Sequence, residues 1–199
     1  MKSLYLLRRL SLNWSTTFST LAVCALALGA SVTASAALQK VDANKSSVNI
    51  TFRQINVPVD AKFKKFSANI DYDANKPDAS KALVEIDVAS FDLGDVEYNK
   101  EVLKKEWFNA AQFPKATFAS TSMKANGAGK LDVNGTLTIK GKSSNVSFPL
   151  LIKKEGANTV FEGSLPIKRL TYAIGEGDWK DTSTVADEVI IKFHVVTTQ

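Results

Sequence analysis

The sequence predicts an all-β protein: a closed or nearly closed antiparallel barrel of about eight strands, with one short amphipathic helix. Three observations carry this. Apolar and polar residues alternate through most of residues 47–195, the period of a half-buried strand. Turn signals such as Asn126-Gly127 and Gly156-Ala157 separate the alternating runs and suit hairpins. A single stretch among them has helical spacing, at residues 99–107. One wet face and no helical crossover mean antiparallel sheet, and closure removes the exposed edges. A two-sheet sandwich is the alternative arrangement of the same strands.

Residues 1–36 read as a cleaved signal peptide. Lys2, Arg8 and Arg9 form a basic start, and residues 21–30 form an apolar run. That run is shorter than the ~20 residues a spanning helix needs. Ala34-Ser35-Ala36 is a small-residue cleavage site, so the exported chain is expected to begin at Ala37. Cys24 follows Val23, a poor residue before a lipidated cysteine, and more apolar sequence follows it. Neither lipidation nor a disulfide is expected. The Arg8-Arg9 pair sits in ordinary surroundings, which favours general secretion over a twin-arginine route.

Residues 37–199 form the expected domain, and its 163 residues are enough for one core. Loss of Lys2, Arg8 and Arg9 lowers the net charge from +5 to +2. That balance argues against nucleic acid or an anionic membrane surface as partner. The single cysteine goes with the signal, and His194 is the only histidine. A His-based metal site or a Ser-His-Asp triad would have to use His194 alone. No second apolar run of ~20 residues follows the first.

The strands follow in order. Val48, Ile50 and Phe52 alternate with Asn49, Thr51 and Arg53. Residues 59–73 are the most informative. Val59, Ala61 and Phe63 are apolar on odd positions, then Phe66, Ala68, Ile70 and Tyr72 on even ones. The pattern slips once, at Lys64-Lys65. A one-residue slip turns the wrong face inward unless a bulge or bend absorbs it. Fifteen residues in a straight strand would also span ~50 Å, longer than strands usually run. A sharp bend at Lys64-Lys65 answers both points. Val84, Ile86 and Val88 continue the alternation, then Phe118, then Leu131, Val133, Leu137 and Ile139. A turn at Gly141-Lys142 leads into Val146, Phe148, Leu150 and Ile152. Phe161, Leu165 and Ile167 follow, and the chain closes on Val189, Ile191, Phe193 and Val195.

Residues 99–120 hold the lone helix and the strand after it. Leu103 and Trp107 are four apart and share a helical face, with Lys100, Lys104 and Lys105 on the wet side. Pro114 excludes a continuing helix, and the next residues read as a strand. Such a helix either caps a filled barrel core or uses Trp107, Phe108 and Phe113 to close a cavity for an apolar ligand.

Candidate chemistry is sparse. Parity places His194 on the outer face with Lys192. Glu176, Asp178 and Asp181 share a loop without the spacing of an EF-hand and are expected to hydrate or brace it. Lys64 and Lys65 read as a solvated pair. Ser143 and Ser144 have no base nearby in sequence, so no catalytic residue and no enzymatic activity are expected. Four short glycosylation-like triplets, at Asn44, Asn49, Asn134 and Asn145, match by chance.

Three segments carry a family resemblance: WFNAAQFPKATFAS, GTLTIKGKSSNVSFPL and IKRLTYAIGEGDWKDTSTVADEVIIKF. They resemble the YceI-like family of bacterial periplasmic proteins over essentially all of residues 41–196. The most specific parts are Trp107-Phe108 with Phe113-Pro114, the Gly135-x-Leu137-Thr138-x-x-Gly141 run, and Ile174-Gly175 with Val185-Ala186-Asp187. DVEYNKEVLKKEWF and GDWKDTSTVADEV are most similar to the branch associated with cytochrome b561. The resemblance implies an extended, lipocalin-like antiparallel barrel with a long apolar cavity. It also implies a periplasmic location and a bound polyisoprenoid, such as a quinone tail or an isoprenoid pyrophosphate. Many relatives carry His-Ser where this chain has Lys45-Ser46, and Arg-His where it has Arg53-Gln54.

Two functions follow. The first is a periplasmic carrier of an apolar isoprenoid lipid, held by burial worth ~25 cal/mol per Å² before the costs of association. Its expected lining is Phe52, Phe66, Ile86, Trp107, Phe118, Leu137, Phe148 and Phe193, with no metal and no covalent cofactor. The second is a non-catalytic interaction or stress-response protein that serves a membrane cytochrome b561 with its barrel filled. A homodimer is compatible with either. An eight-stranded barrel is just wide enough to be filled or to hold one ligand.

Overall fold

The structure, a computed structural model, describes residues 39–198. The expected export signal, its cleavage before Ala37 and Cys24 lie outside the described residues. In chain order the strands are β1 (Lys40–Val41), β2 (Ser47–Gln54), β3 (Val57–Phe63), β4 (Phe66–Asp71), β5 (Lys81–Asp87) and β6 (Phe91–Asp92). One helix, α1 (Val96–Glu101), follows. Then come β7 (Lys115–Ala125), β8 (Lys130–Ile139), β9 (Lys142–Glu155), β10 (Asn158–Lys168) and β11 (Val185–Thr198). All belong to one antiparallel sheet, in the order β4-β5-β7-β8-β9-β10-β11-β2-β3-β6, with β1 beside β11. One curled sheet replaces the sandwich alternative. If β3 and β4 are taken as one run and the two-residue strands set aside, eight long runs make up the sheet.

The sheet curls because one run serves both of its ends. β3 pairs with β2 at one end of the order, and β4 pairs with β5 at the other. Between them only Lys64 and Lys65 stand outside a strand. The expected bend is therefore present, and it brings the two ends of the sheet together. Ser90 holds it. Lys64 N–H donates to the Ser90 carbonyl at 3.1 Å, and Lys65 N–H donates to Ser90 Oγ at 3.0 Å. Ser90 ends the 3-10 turn Val88–Ser90 and is buried. Lys64 Nζ also reaches Asp92 Oδ2 at 2.8 Å. A bridge from Gln39 to Ile70 ties the start of the described chain to β4, next to the pairing of β1 with β11.

Period-2 burial then follows the register. In β8, Leu131, Val133, Gly135, Leu137 and Ile139 are buried while their neighbours face outward. Phe118, Phe148 and Phe193 meet inside, with ring centroids 5.4 and 5.3 Å apart. Two glycines make room for them. A Cβ on Gly135 would overlap the Phe118 ring, and one on Gly163 would overlap that of Phe193. The β8–β9 turn is one residue earlier than expected. Lys140 (φ 49°) and Gly141 (φ 71°) form it, and Lys142 already opens β9. Two successive residues at positive φ match the twist of a tight hairpin.

The helix also departs from expectation. It covers Val96–Glu101, where Asp95 Oδ1 accepts from the N–H groups of Glu97 and Tyr98. Leu103 and Trp107 lie beyond it in a series of turns. Val102, Leu103, Trp107 and Phe108 all pack inward. One α-helical face cannot hold four residues at that spacing. Turns can, and Phe108 N–H accordingly closes back on the Val102 carbonyl at 3.0 Å.

Candidate functional site

The inward faces of the curled sheet enclose a cavity of about 250 Å³. An engineered apolar cavity of about 150 Å³ already takes up benzene. The walls come from two hydrophobic clusters, a larger one containing Leu137, Phe148 and Phe161 and a smaller one built on Ile50, Ala61 and Phe91. Of the eight expected lining residues, Phe52, Ile86, Trp107, Phe118, Leu137, Phe148 and Phe193 border the cavity. Phe66 packs against the larger cluster and is not on the lining. Phe108 lines the cavity too, whereas Phe113 packs on Gly141 outside it.

One end is closed by residues 102–113 and by the loop after β10. There Trp107 meets Trp179, ring centroids 5.3 Å apart. Arg169 lies above Trp107 and is buried. Its guanidinium donates five hydrogen bonds to backbone carbonyls. Nε reaches Ala186 at 3.1 Å, Nη1 reaches Ile174 at 2.8 Å and Gly175 at 3.1 Å, and Nη2 reaches Trp179 and Val185, each at 2.7 Å. Five is every N–H an arginine has. Burial lowers its pKa, and the charge of Asp187 opposes that. Asp187 also accepts from Leu170 N–H at 3.0 Å. The loop from Ile174 to Ala186 is thus held by a buried cation.

Tyr98 of α1 is 51 % exposed and still borders the cavity, so the cavity reaches the surface beside α1. Gln54 at the end of β2 and Glu101 at the end of α1 border it as well. Glu101 is paired with Lys104.

Other candidates resolve as surface chemistry. His194 faces outward and contacts Glu162 through Nδ1 at 3.0 Å, and Lys153 holds the same carboxylate at 2.6 Å. Lys153, followed by His194, holds the Glu162 pKa below its ordinary value. Glu176 accepts from Lys140 Nζ at 2.9 Å, and Asp181 from Ser183 N–H at 2.9 Å, so these acids brace the loop. Among the described residues no group of His, Cys, Asp or Glu could hold a metal ion. No helix among them is long and apolar enough to cross a membrane.

Sequence reading missed Arg169, and it noted Gln54 only as a departure from relatives and not as part of the lining. Both carry on an inward parity already recognised. Gln54 follows Val48, Ile50 and Phe52, and Arg169 follows Phe161, Leu165 and Ile167. Their polarity hid them, because an apolar pattern is read only as far as its apolar residues.

A single curled antiparallel sheet, a short helix and an apolar interior define a lipocalin-like binding fold. The YceI-like domain model matches residues 39–197, and the chain belongs to that family. A UPF0312 protein of Shewanella putrefaciens is 36% identical over 148 residues, which cover 73% of this chain and 74% of that protein. The crystal structure of Burkholderia cenocepacia BcnA superposes with a TM-score of 0.78 at 50% identity, over 80% of this chain and 100% of that one. A polyisoprenoid binding domain from Saccharophagus degradans, implicated in plant cell wall breakdown, shares the fold. Its TM-score is 0.67 at 18% identity, over 81% of this chain and 99% of that one.

Proposed function

We propose that the protein is a periplasmic carrier of an apolar polyisoprenoid lipid, whose quinone or isoprenoid tail lies in the barrel interior. The single observation that carries this is the cavity, whose lining from the Phe118–Phe148–Phe193 rings to Trp107 is mainly apolar. Binding there needs no catalytic residue, since burial of the tail supplies the affinity. The polyisoprenoid binding domain with the same fold supports the class of ligand. Export to the periplasm rests on Lys2, Arg8, Arg9 and the Ala34-Ser35-Ala36 site. A membrane cytochrome b561 and a second copy of the chain are the protein partners to seek.

The test is organic extraction of protein purified without detergent from its own periplasm, followed by mass spectrometry. A quinone or polyprenyl species is the expected result. Finding neither, together with no uptake of added isoprenoid by the stripped protein, overturns the carrier.

A further inference from the structure

The inward face of the β2–β3 hairpin is uncovered step by step towards its tip. Cross-strand partners share a face, and here they are Ile50 with Ala61, Phe52 with Val59, and Gln54 with Val57. Ala61 is buried, Val59 is half-buried and Val57 is 60 % exposed. Ile55, at the tip, is exposed as well. α1 starts near this tip. β6 runs antiparallel to β3, with Phe91 opposite Phe63 and Asp92 opposite Lys62. The chain therefore leaves β6 in the direction of Val57 and enters α1 at Val96. Val96 and Tyr98 are exposed there, and Tyr98 and Gln54 both border the cavity. Four of the five exposed large apolar side chains among the described residues thus belong to the hairpin tip and α1. The fifth, Leu83, lies on the outer face of β5.

Two observations say what covers this rim. Ile55 holds a β-branched side chain at φ 49°, a strained conformation, and its exposed side chain gains little in return from the rest of the chain. Strain kept at a surface marks a site of function. The charges of the rim also cancel. Residues 53–58 and 95–104 carry Arg53, Lys100 and Lys104 against Asp95, Glu97 and Glu101. Lys100 pairs with Glu97, Lys104 pairs with Glu101, and Arg53 donates to the Asn56 carbonyl at 2.9 Å. Such a surface attracts neither an acidic protein nor an anionic head group. Aliphatic tips beside a tyrosine suit the boundary between water and hydrocarbon, where tyrosine holds its ring in the head-group layer.

We propose that the rim formed by Ile55, Val57, Val96 and Tyr98 docks on a lipid bilayer by apolar insertion, with the cavity mouth facing the membrane. The mouth and the rim share Tyr98, so a lipid can pass between bilayer and cavity without crossing water. This inference rests on the lipid-binding reading and adds where the ligand is exchanged.

The experiment is flotation of protein purified from its own periplasm with phosphatidylcholine vesicles, which carry no net charge. Wild type should float with the vesicles, equally from about 0.05 M to about 0.5 M salt. Ile55→Asn and Val96→Ser should each weaken this partition by about fivefold, the loss expected when one largely exposed aliphatic side chain no longer enters hydrocarbon. Leu83→Ser should float like wild type. Neither Ile55 nor Val96 borders the cavity, so both variants should still take up geranylgeraniol added from ethanol. A wild type that stays in solution, rim variants that float unchanged, an equal loss in Leu83→Ser, or binding abolished by salt each overturns the docking surface. Sedimentation showing a dimer that Val96→Ser separates also overturns it, and makes the rim an interface between copies. Wild type that floats but takes up no geranylgeraniol, and yields no extracted isoprenoid, keeps the docking surface and removes the carrier.

Discussion

The guanidinium of Arg169 lies over the indole of Trp107, its Cζ 5.8 Å from the ring centroid. This contact joins the loop after β10 to the turn segment after α1, the two pieces that close one end of the cavity. The indole face supplies attraction for the cation, and the carbonyls supply its hydrogen bonds. Arg169 therefore acts on the shape of the site rather than on a ligand.

Arg169→Lys should destabilise the protein by about 3 kcal/mol, because an ammonium has three donors where five carbonyls need partners. Urea unfolding followed by tryptophan fluorescence measures this. A loss under about 0.5 kcal/mol, the size of an ordinary surface change, would contradict the bracing role.

Phe148 separates the wall of a cavity from a filled core. It is buried between Phe118 and Phe193 and also borders the cavity. Phe148→Ala should cost roughly 2 kcal/mol, less than the ~3–5 kcal/mol of a fully packed phenylalanine. Ligand retention should fall more sharply than stability. Chemical denaturation and extraction of the purified variant read the two effects separately.

The hairpin between β2 and β3 turns on Ile55 and Asn56, at φ 49° and 62°. A β-branched residue is strained at positive φ, and Ile55 is 69 % exposed, so its side chain gains little there. Ile55→Asn should stabilise the protein by about 1 kcal/mol, visible as a higher melting temperature. A lower melting temperature would mean that the isoleucine makes an unrecognised contact.

Asp92 links acid stability to the bend. Lys64 foremost, then Gly94 N–H and Asn99, holds its pKa down at about 2. A carboxyl with a lowered folded pKa adds stability that is present above its ordinary value of 3.8 and disappears as pH falls towards 2. Wild type should therefore lose its advantage over Asp92→Asn between about pH 4 and pH 2, and more so in low salt. Parallel melting curves for the two proteins across that range would refute the linkage.

Much of the fold was legible because half-buried strands announce themselves by parity. The slip between Phe63 and Phe66 revealed the bend, and the alternation in Leu131–Ile139 revealed β8 with its inward face. The helix was misplaced because Leu103 and Trp107 satisfy a helical spacing locally, while the packing of Val102 and Phe108 demands turns. Most of the expected lining was legible for the same reason as the strands. Phe66 sits on the inward parity but just past the bend, where parity says which face a residue occupies and nothing about its depth along the barrel. Arg169 was hidden because its partners are backbone carbonyls from residues 174–186, and no side-chain pattern records those.

The bend at Lys64-Lys65 also limits how such a chain can change in length. A residue added at the Asn126–Gly129 hairpin only enlarges a surface loop. A residue added or lost between Phe63 and Phe66 would make their spacing even, so that Ala61 to Ile70 could share one face along a straight strand and the pattern would no longer demand the bend that brings the ends of the sheet together. The odd spacing at this corner is thus what obliges the chain to turn, and variation in length is expected to gather at the hairpin tips instead.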